Sequence, residues 1–149
     1  MKLGKMLCCS LLLTLLTVSA AIAAPRFTDN GDQTVTDNQT GLTWAKNANL
    51  AGAPMDWDTA FVYVASLNSA NGGAGTFGHN DWRQPTASEL MSLVDPAKSM
   101  PSLPAGHPFI NVVSDEYWSS SSGTSSYQYA YGVNIGGGFI YSELDGINR

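Results

Sequence analysis

Asp81-Trp82-Arg83-Gln84-Pro85-Thr86-Ala87-Ser88-Glu89-Leu90 is the stretch whose reading decides the fold. An irregular run carrying Gly72, Gly73, Gly75, Gly78 and Asn80 hands over here to a short helix. Thr86 and Glu89 spell a capping box: the threonine hydroxyl accepts from the Glu89 amide, and the glutamate reaches back to the Thr86 amide. Pro85 keeps Gln84 out of the α region, so the helix cannot begin earlier. Leu90, Leu93 and Val94 follow at helical spacing, and Asp95-Pro96 ends the run. Asp81, Trp82 and Arg83 precede the cap and place a large apolar plate beside a planar cation. The segment reads as a hub that locks a loop onto a core.

Downstream, the stretch from Pro96 to Asp115 carries Pro101, Pro104, Gly106 and Pro108 and shows little periodicity. It reads as a surface loop anchored by an apolar patch at Phe109-Ile110, with His107 as a candidate ligand contact. Tyr117-Trp118-Ser119-Ser120 reads as a strand, with Trp118 a structural residue. Tyr127, Tyr129, Tyr131, Val133 and Ile135 alternate with Gln128, Ala130, Gly132 and Asn134, which gives a strand with one heavy face. Gly136-Gly137-Gly138 turns the chain, and Phe139-Ile140-Tyr141 returns as the hairpin partner. Tyr131, Val133 and Ile135 are assigned to the core. Tyr127 and Tyr129, beside the Ser/Gly-rich loop, are open between core packing and stacking on a sugar.

Upstream, Asp56 caps a helix expected to run to about Leu67, ended by Asn68 and Gly72-Gly73. Trp57, Ala60, Phe61, Val64 and Leu67 share one face and read as a buried stripe. Arg26-Phe27-Thr28 and Thr34-Val35-Thr36-Asp37 form a hairpin, with Asn30-Gly31 supplying the positive φ angles of a tight turn. A second turn, Asp37 to Gly41, leads to the short strand Leu42-Thr43-Trp44. Asp29, Asp32 and Asp37 invite a calcium reading. Their spacing is not that of an EF-hand loop, and Asp and Asn are ordinary turn formers, so solvated turns are the default.

Residues 1–23 read as an export signal. Lys2 and Lys5 supply the positive end, Leu7 to Val18 the apolar run, and Ala21-Ile22-Ala23 the cleavage site. Cys8 and Cys9 leave with that segment and do not sit in a lipid-attachment pattern, so the mature chain 24–149 has no cysteine and its stability rests on its core. It keeps five basic residues against twelve acids, a net charge of −7. That balance argues against nucleic acid or an anionic membrane as partner. The composition, low in charge and rich in Gly, Ser, Asn and Thr, suits one extracellular domain with many loops and short strands.

No catalytic constellation stands out. His79 and His107 lie far apart, no His-x-x-x-His pair or cysteine offers a zinc site, and no Gly-x-Ser-x-Gly elbow surrounds Ser119 to Ser122. Asp81, Glu89, Asp115 and Glu116 could pair for glycoside cleavage, but Glu89 has a capping role and Asp81 neighbours Arg83.

The order of these pieces resembles a known family. Asp29 to Trp44 is similar to the opening signature of the Lcl C-terminal domain family, Asp81 to Thr86 with Glu89-Leu90 to its middle signature, and Tyr117-Trp118-Ser119-Ser120 to its third. The resemblance implies an α+β, C-type lectin-like architecture, with two helices beside short antiparallel strands and long loops. It implies a non-catalytic role in cell-surface adhesion, with glycan binding known for the collagen-like member. This chain departs from that member in having no collagen-like repeat and in its acidity, which weakens transfer of binding to sulfated glycans. Two functions are carried forward: an exported module that recognises a glycan or surface protein, and a structural domain of a surface complex. An enzyme related to formylglycine-generating proteins is a distant third, since the mature chain lacks cysteine. Family members typically continue into a final strand that pairs with the N-terminal one. Either that strand is missing after Arg149, which invites self-association, or Ile140 to Ile147 fills its place. The destination is periplasm, cell surface or medium.

Overall fold

A computed structural model of the chain describes residues 24–124 and 128–144. The hub forms as its sequence dictates. Glu89 N donates to Thr86 Oγ1 (3.2 Å) and Thr86 N donates to Glu89 Oε2 (2.7 Å), closing the capping box at the start of the short helix Ala87–Ser92. Leu90 and Leu93 project from it into the core with Leu103, Val133 and Ile135.

Among the described residues the chain is α+β, with two helices and two three-stranded antiparallel sheets. The first sheet has the order β1 (Phe27–Asp29), β2 (Thr34–Asp37), β3 (Thr43–Ala45). Its first turn departs from the expected Asn-Gly geometry: the positive φ angles fall at Gly31 and Gln33, not at Asn30. Asn30 instead spends its side-chain amide on the hydroxyls of Thr34 and Thr36 (2.8 and 3.0 Å). That bracing suits a longer connection than the two-residue turn. Central β2 is the buried strand, with Val35 and Asp37 both at 0% exposure. Burial works to raise the Asp37 pKa, but hydrogen bonds from Arg26 (Nη2 to Oδ2, 3.1 Å) and from the Gln39 amide outweigh it and hold the carboxyl below the usual range. Arg26 also donates to the Ser92 carbonyl, which ties this sheet to the helix of the hub.

Helix α1 (Trp57–Gly73) starts on Asp56, whose carboxylate accepts from Thr59 N at 2.7 Å. It runs beyond Leu67: Asn68 lies inside it, and helical dihedrals are lost only at Ala70 to Gly72. The expectation of a buried stripe is corrected in part. Ala60 alone is buried; Phe61 is 40% exposed and leans edge-on against Trp57, centroids 4.8 Å apart. Helix α2 (Ala87–Ser92) is the hub helix.

The second sheet has the order β4 (Glu116–Thr124), β5 (Gln128–Asn134), β6 (Phe139–Leu144). Strand β4 is longer than its Tyr117-Trp118-Ser119-Ser120 signal, and its register with β5 shifts between Trp118 and Ser122. Strand β5 is buried on both faces, not one. Val133 and Ile135 enter the core, and on the opposite face Ala130 is also buried. The reason is a row across the sheet, Trp118–Gly132–Tyr141 in direct register. A Cβ at Gly132 would lie about 2.5 Å from the Tyr141 ring, so only glycine leaves room for it. Over that gap the Trp118 and Tyr141 rings meet at 5.7 Å. Strand β6 pairs only with β5, and β1 only with β2, among the described residues.

The long loop after α2 is pinned by backbone, through Ser102 N to Ile135 O (2.7 Å) and Ile110 N to Lys46 O (2.9 Å). Phe109 packs edge-on against Phe27 at 5.2 Å. The side chain of Ile110, expected as part of the anchor, is 44% exposed; its backbone does the anchoring.

Candidate functional site

Between β3 with its following loop, helix α1, the hub and the second sheet lies a cavity of about 1010 Å³. The volume is at the upper end for a small-molecule site. Its walls are largely apolar and aromatic, with Trp44, Tyr63, Trp82, Tyr117, Trp118 and Tyr141 among them.

Local folding sets each of these groups. Trp44 sits on β3 opposite Val35 of the buried strand β2. Two indoles fasten the start of α1 to β4: Trp118 Nε1 donates to the Met55 carbonyl (2.9 Å) and Trp57 Nε1 to the Ser119 carbonyl (2.7 Å). At the other end of α1, Asn68 grips the hub backbone twice. Trp82 N donates to Asn68 Oδ1 (2.7 Å), and Asn68 Nδ2 donates to the Trp82 carbonyl (2.8 Å). The Trp82 indole in turn donates to the Thr76 carbonyl at 2.9 Å. Helix α1 is thus clamped at both ends, and Tyr63, Val64 and Leu67 between the clamps line the cavity.

The electrostatics favour neutral or cationic occupants. Asp81, Glu89, Asp115, Glu116 and Glu143 line the cavity, and Arg83 is the one Lys or Arg among the described lining residues. Its guanidinium is committed to Glu89 through a bidentate pair of 2.8 and 2.6 Å. The Arg83 bond, helped by the Thr86 amide, outweighs desolvation and lowers the Glu89 pKa to about 2.

Two of the lining residues carry a buried polar atom. Trp44 Nε1 and Gln84 Oε1 are buried without a hydrogen-bond partner among the described residues, and Gln84 as a whole is only 6% exposed. One is a donor and the other an acceptor, and buried groups of both kinds are normally satisfied.

Two of the three ligand contacts expected from sequence fall among the described residues. Tyr127 lies outside the described residues. Tyr129, half-buried on β5, is not in the cavity wall, nor is His107, whose ring lies over Phe109 at 5.9 Å and whose Nδ1 is buried and unpartnered. Of the hub residues, Asp81, Trp82, Arg83, Pro85 and Glu89 line the cavity and Thr86 caps the helix behind it; Trp118 lines it from β4. The first turns use their carboxylates internally: Asp29 accepts from Lys46 Nζ (2.6 Å) and the Gly31 amide, and Asp32 from the Thr34 amide and hydroxyl (3.0 and 2.5 Å). No three His, Cys, Asp or Glu residues among those described gather as a metal site would require. Trp44, Gln84 and Tyr141 were missed by sequence reading. Gln84 carried one usable signal, its place between a cation and the proline that fixes the helix start.

Comparison with known proteins adds the family. The family model described as the Lcl C-terminal domain matches residues 33–148. No characterised protein and no solved structure gives a significant match. No helix among the described residues is long and apolar enough to cross a membrane.

Proposed function

The chain belongs to the Lcl C-terminal domain family, and from that premise we propose that it is an exported, non-catalytic binding module that recognises glycans at a cell surface. The observation that carries this reading is the large cavity walled by indole and phenol rings and bounded by the two clamps of α1. Aromatic faces stack on the C–H faces of sugar rings. Glu89, one carboxylate of the wall, is held by Arg83 and the Thr86 amide. Export rests on the basic, apolar and small-residue pattern of residues 1–23.

A glycan array probed with residues 24–149 tests the reading. Saturable binding to a defined set of glycans supports it, and uniform silence refutes it. A second reading, assembly within a surface complex, draws on Phe139 and Ile140, which are 53% and 49% exposed on strand β6. Sedimentation over a concentration series separates the two, because assembly through that strand yields oligomers that Ile140→Lys abolishes.

A further inference from the structure

We infer that the cavity prefers saccharides carrying free amino groups, with a sugar ring against the Trp118–Tyr141 pair and its ammonium on the side of Glu116; the inference rests on the glycan-binding reading and narrows it. The register of the second sheet supplies the geometry. Trp118, Gly132 and Tyr141 lie directly opposite one another, so both rings stand on one face of the sheet. Glu116 precedes Trp118 by two positions in the same unbroken register, and side chains two apart on a strand share a face at about 7 Å. That face thus carries an aromatic pair with a carboxylate beside it, and all three residues line the cavity. Both rings are half-buried and Glu116 is exposed, so each keeps surface that a ligand can touch. The Trp118 N–H is spent on the Met55 carbonyl, which leaves the ring as what this residue offers. The two rings lie 5.7 Å apart and are tilted by 43°.

A ring pair alone does not choose between neutral and charged sugars; the charge around it does. Asp115 adjoins Glu116, is likewise exposed and also lines the cavity. Its field reaches the wall: burial is the main cause raising the pKa of the Tyr117 hydroxyl, and the Asp115 charge adds to that rise. Arg83, the one Lys or Arg among the described lining residues, is already bidentate on Glu89. An ammonium therefore comes under the field of two carboxylates and two aromatic faces, with no uncommitted lysine or arginine among the described lining residues against it. A sulfate or uronate meets the same field with the wrong sign. The volume suits a short oligosaccharide more than a single sugar. An exposed ion pair is worth about two- to fivefold in affinity and an ammonium over an exposed aromatic face about as much, so the amine gains about tenfold over its acetylated form.

The test measures Kd of the mature chain for a β-1,4-linked glucosamine tetramer, its fully N-acetylated form, a sulfated form, and tetralysine as an amine without a sugar ring. It is run at about pH 6, where carboxylates and sugar amines are both charged. The expected result is that the free-amine tetramer binds about tenfold more tightly than the acetylated one, by a margin that shrinks as salt rises from about 0.05 to 0.5 M. Asp115→Asn combined with Glu116→Gln should remove most of that margin and leave the acetylated tetramer's Kd unchanged. Both side chains are exposed and both replacements nearly isosteric, so the fold is not at stake. Equal affinity for the two tetramers, or tightest binding of the sulfated one, overturns the selectivity and leaves the glycan reading intact. A margin that survives the double substitution overturns the assignment to these carboxylates. Tetralysine bound as tightly as the free-amine tetramer shows that charge alone is read and overturns the saccharide. Silence towards both tetramers, with other glycans bound on the array, overturns this inference alone; silence towards every glycan removes the glycan reading with it.

Discussion

Asn68 is a single side chain on which the seating of α1 depends, and its removal should loosen one wall of the cavity. Its amide makes two hydrogen bonds to the backbone of Trp82, at 2.7 and 2.8 Å. At about 0.5–1.5 kcal/mol net for each bond, Asn68→Ala forfeits roughly 1–3 kcal/mol. Alanine returns up to about 0.7 kcal/mol because it is the better helix former. The net loss is then roughly 0.3–2.3 kcal/mol, nearer the upper end if water cannot reach the freed Trp82 N–H and C=O groups. The loss should be local, since the clamp holds only the C-terminal end of α1 while Trp57 holds the other. Hydrogen exchange resolves this: the Trp82 amide should lose protection while the amides of β5 keep theirs. Asn68→Asp sharpens the test. Its carboxylate can still accept from Trp82 N, but its second oxygen then faces the Trp82 carbonyl, so at neutral pH it should destabilise at least as much as alanine. Protonation restores the donor and raises the folded-state pKa of this aspartate, so its stability should recover as pH falls. Unchanged protection of Trp82 in Asn68→Ala, or a pH-independent Asn68→Asp, would refute the clamp.

Three further outcomes are expected. Glu89 has a folded-state pKa of about 2 against an ordinary 4.5; a depressed carboxylate stabilises above its unfolded value, so the advantage of wild type over Glu89→Gln should be constant above about pH 5 and vanish as pH falls towards 2, as read by urea denaturation at each pH. Gly75→Ala should cost more than about 2 kcal/mol, because the residue has φ of +78° and a Cβ would lie 1.8 Å from the His79 carbonyl oxygen; a variant as stable as wild type in chemical denaturation rejects that. Gly132→Ala should drive the Tyr141 ring off Trp118 at a cost of about 1–3 kcal/mol, seen as a loss of near-ultraviolet dichroism; an unchanged aromatic spectrum would show that the ring never needed the gap.

Much of the fold was written in signals that act over a few residues. The capping box joins positions three apart, Asp56 caps the turn that follows it, and the Val133/Ile135 face follows from the two-residue period of a strand. These needed no tertiary context, because each is a hydrogen bond or steric preference closed within one turn or one pleat. The three ordered signatures likewise pointed to the family that the match over residues 33–148 supports. Asn68 reads as a helix stopper, and it lies in the last regular turn before helical dihedrals are lost at Ala70; what the sequence does not show is that its amide is used by a backbone fourteen positions away.

The site was decided almost wholly by tertiary structure. Gly132 reads as a weak point in a strand until the register sets it between Trp118 and Tyr141. Trp44 and Gln84 lie forty positions apart, and that both line one cavity follows only from how the fold brings β3 and the hub together. Sequence fixes which polar groups a chain owns and where its helices begin. Whether a buried group finds a partner depends on what the folded chain brings within about 3 Å of it, and no local pattern encodes that.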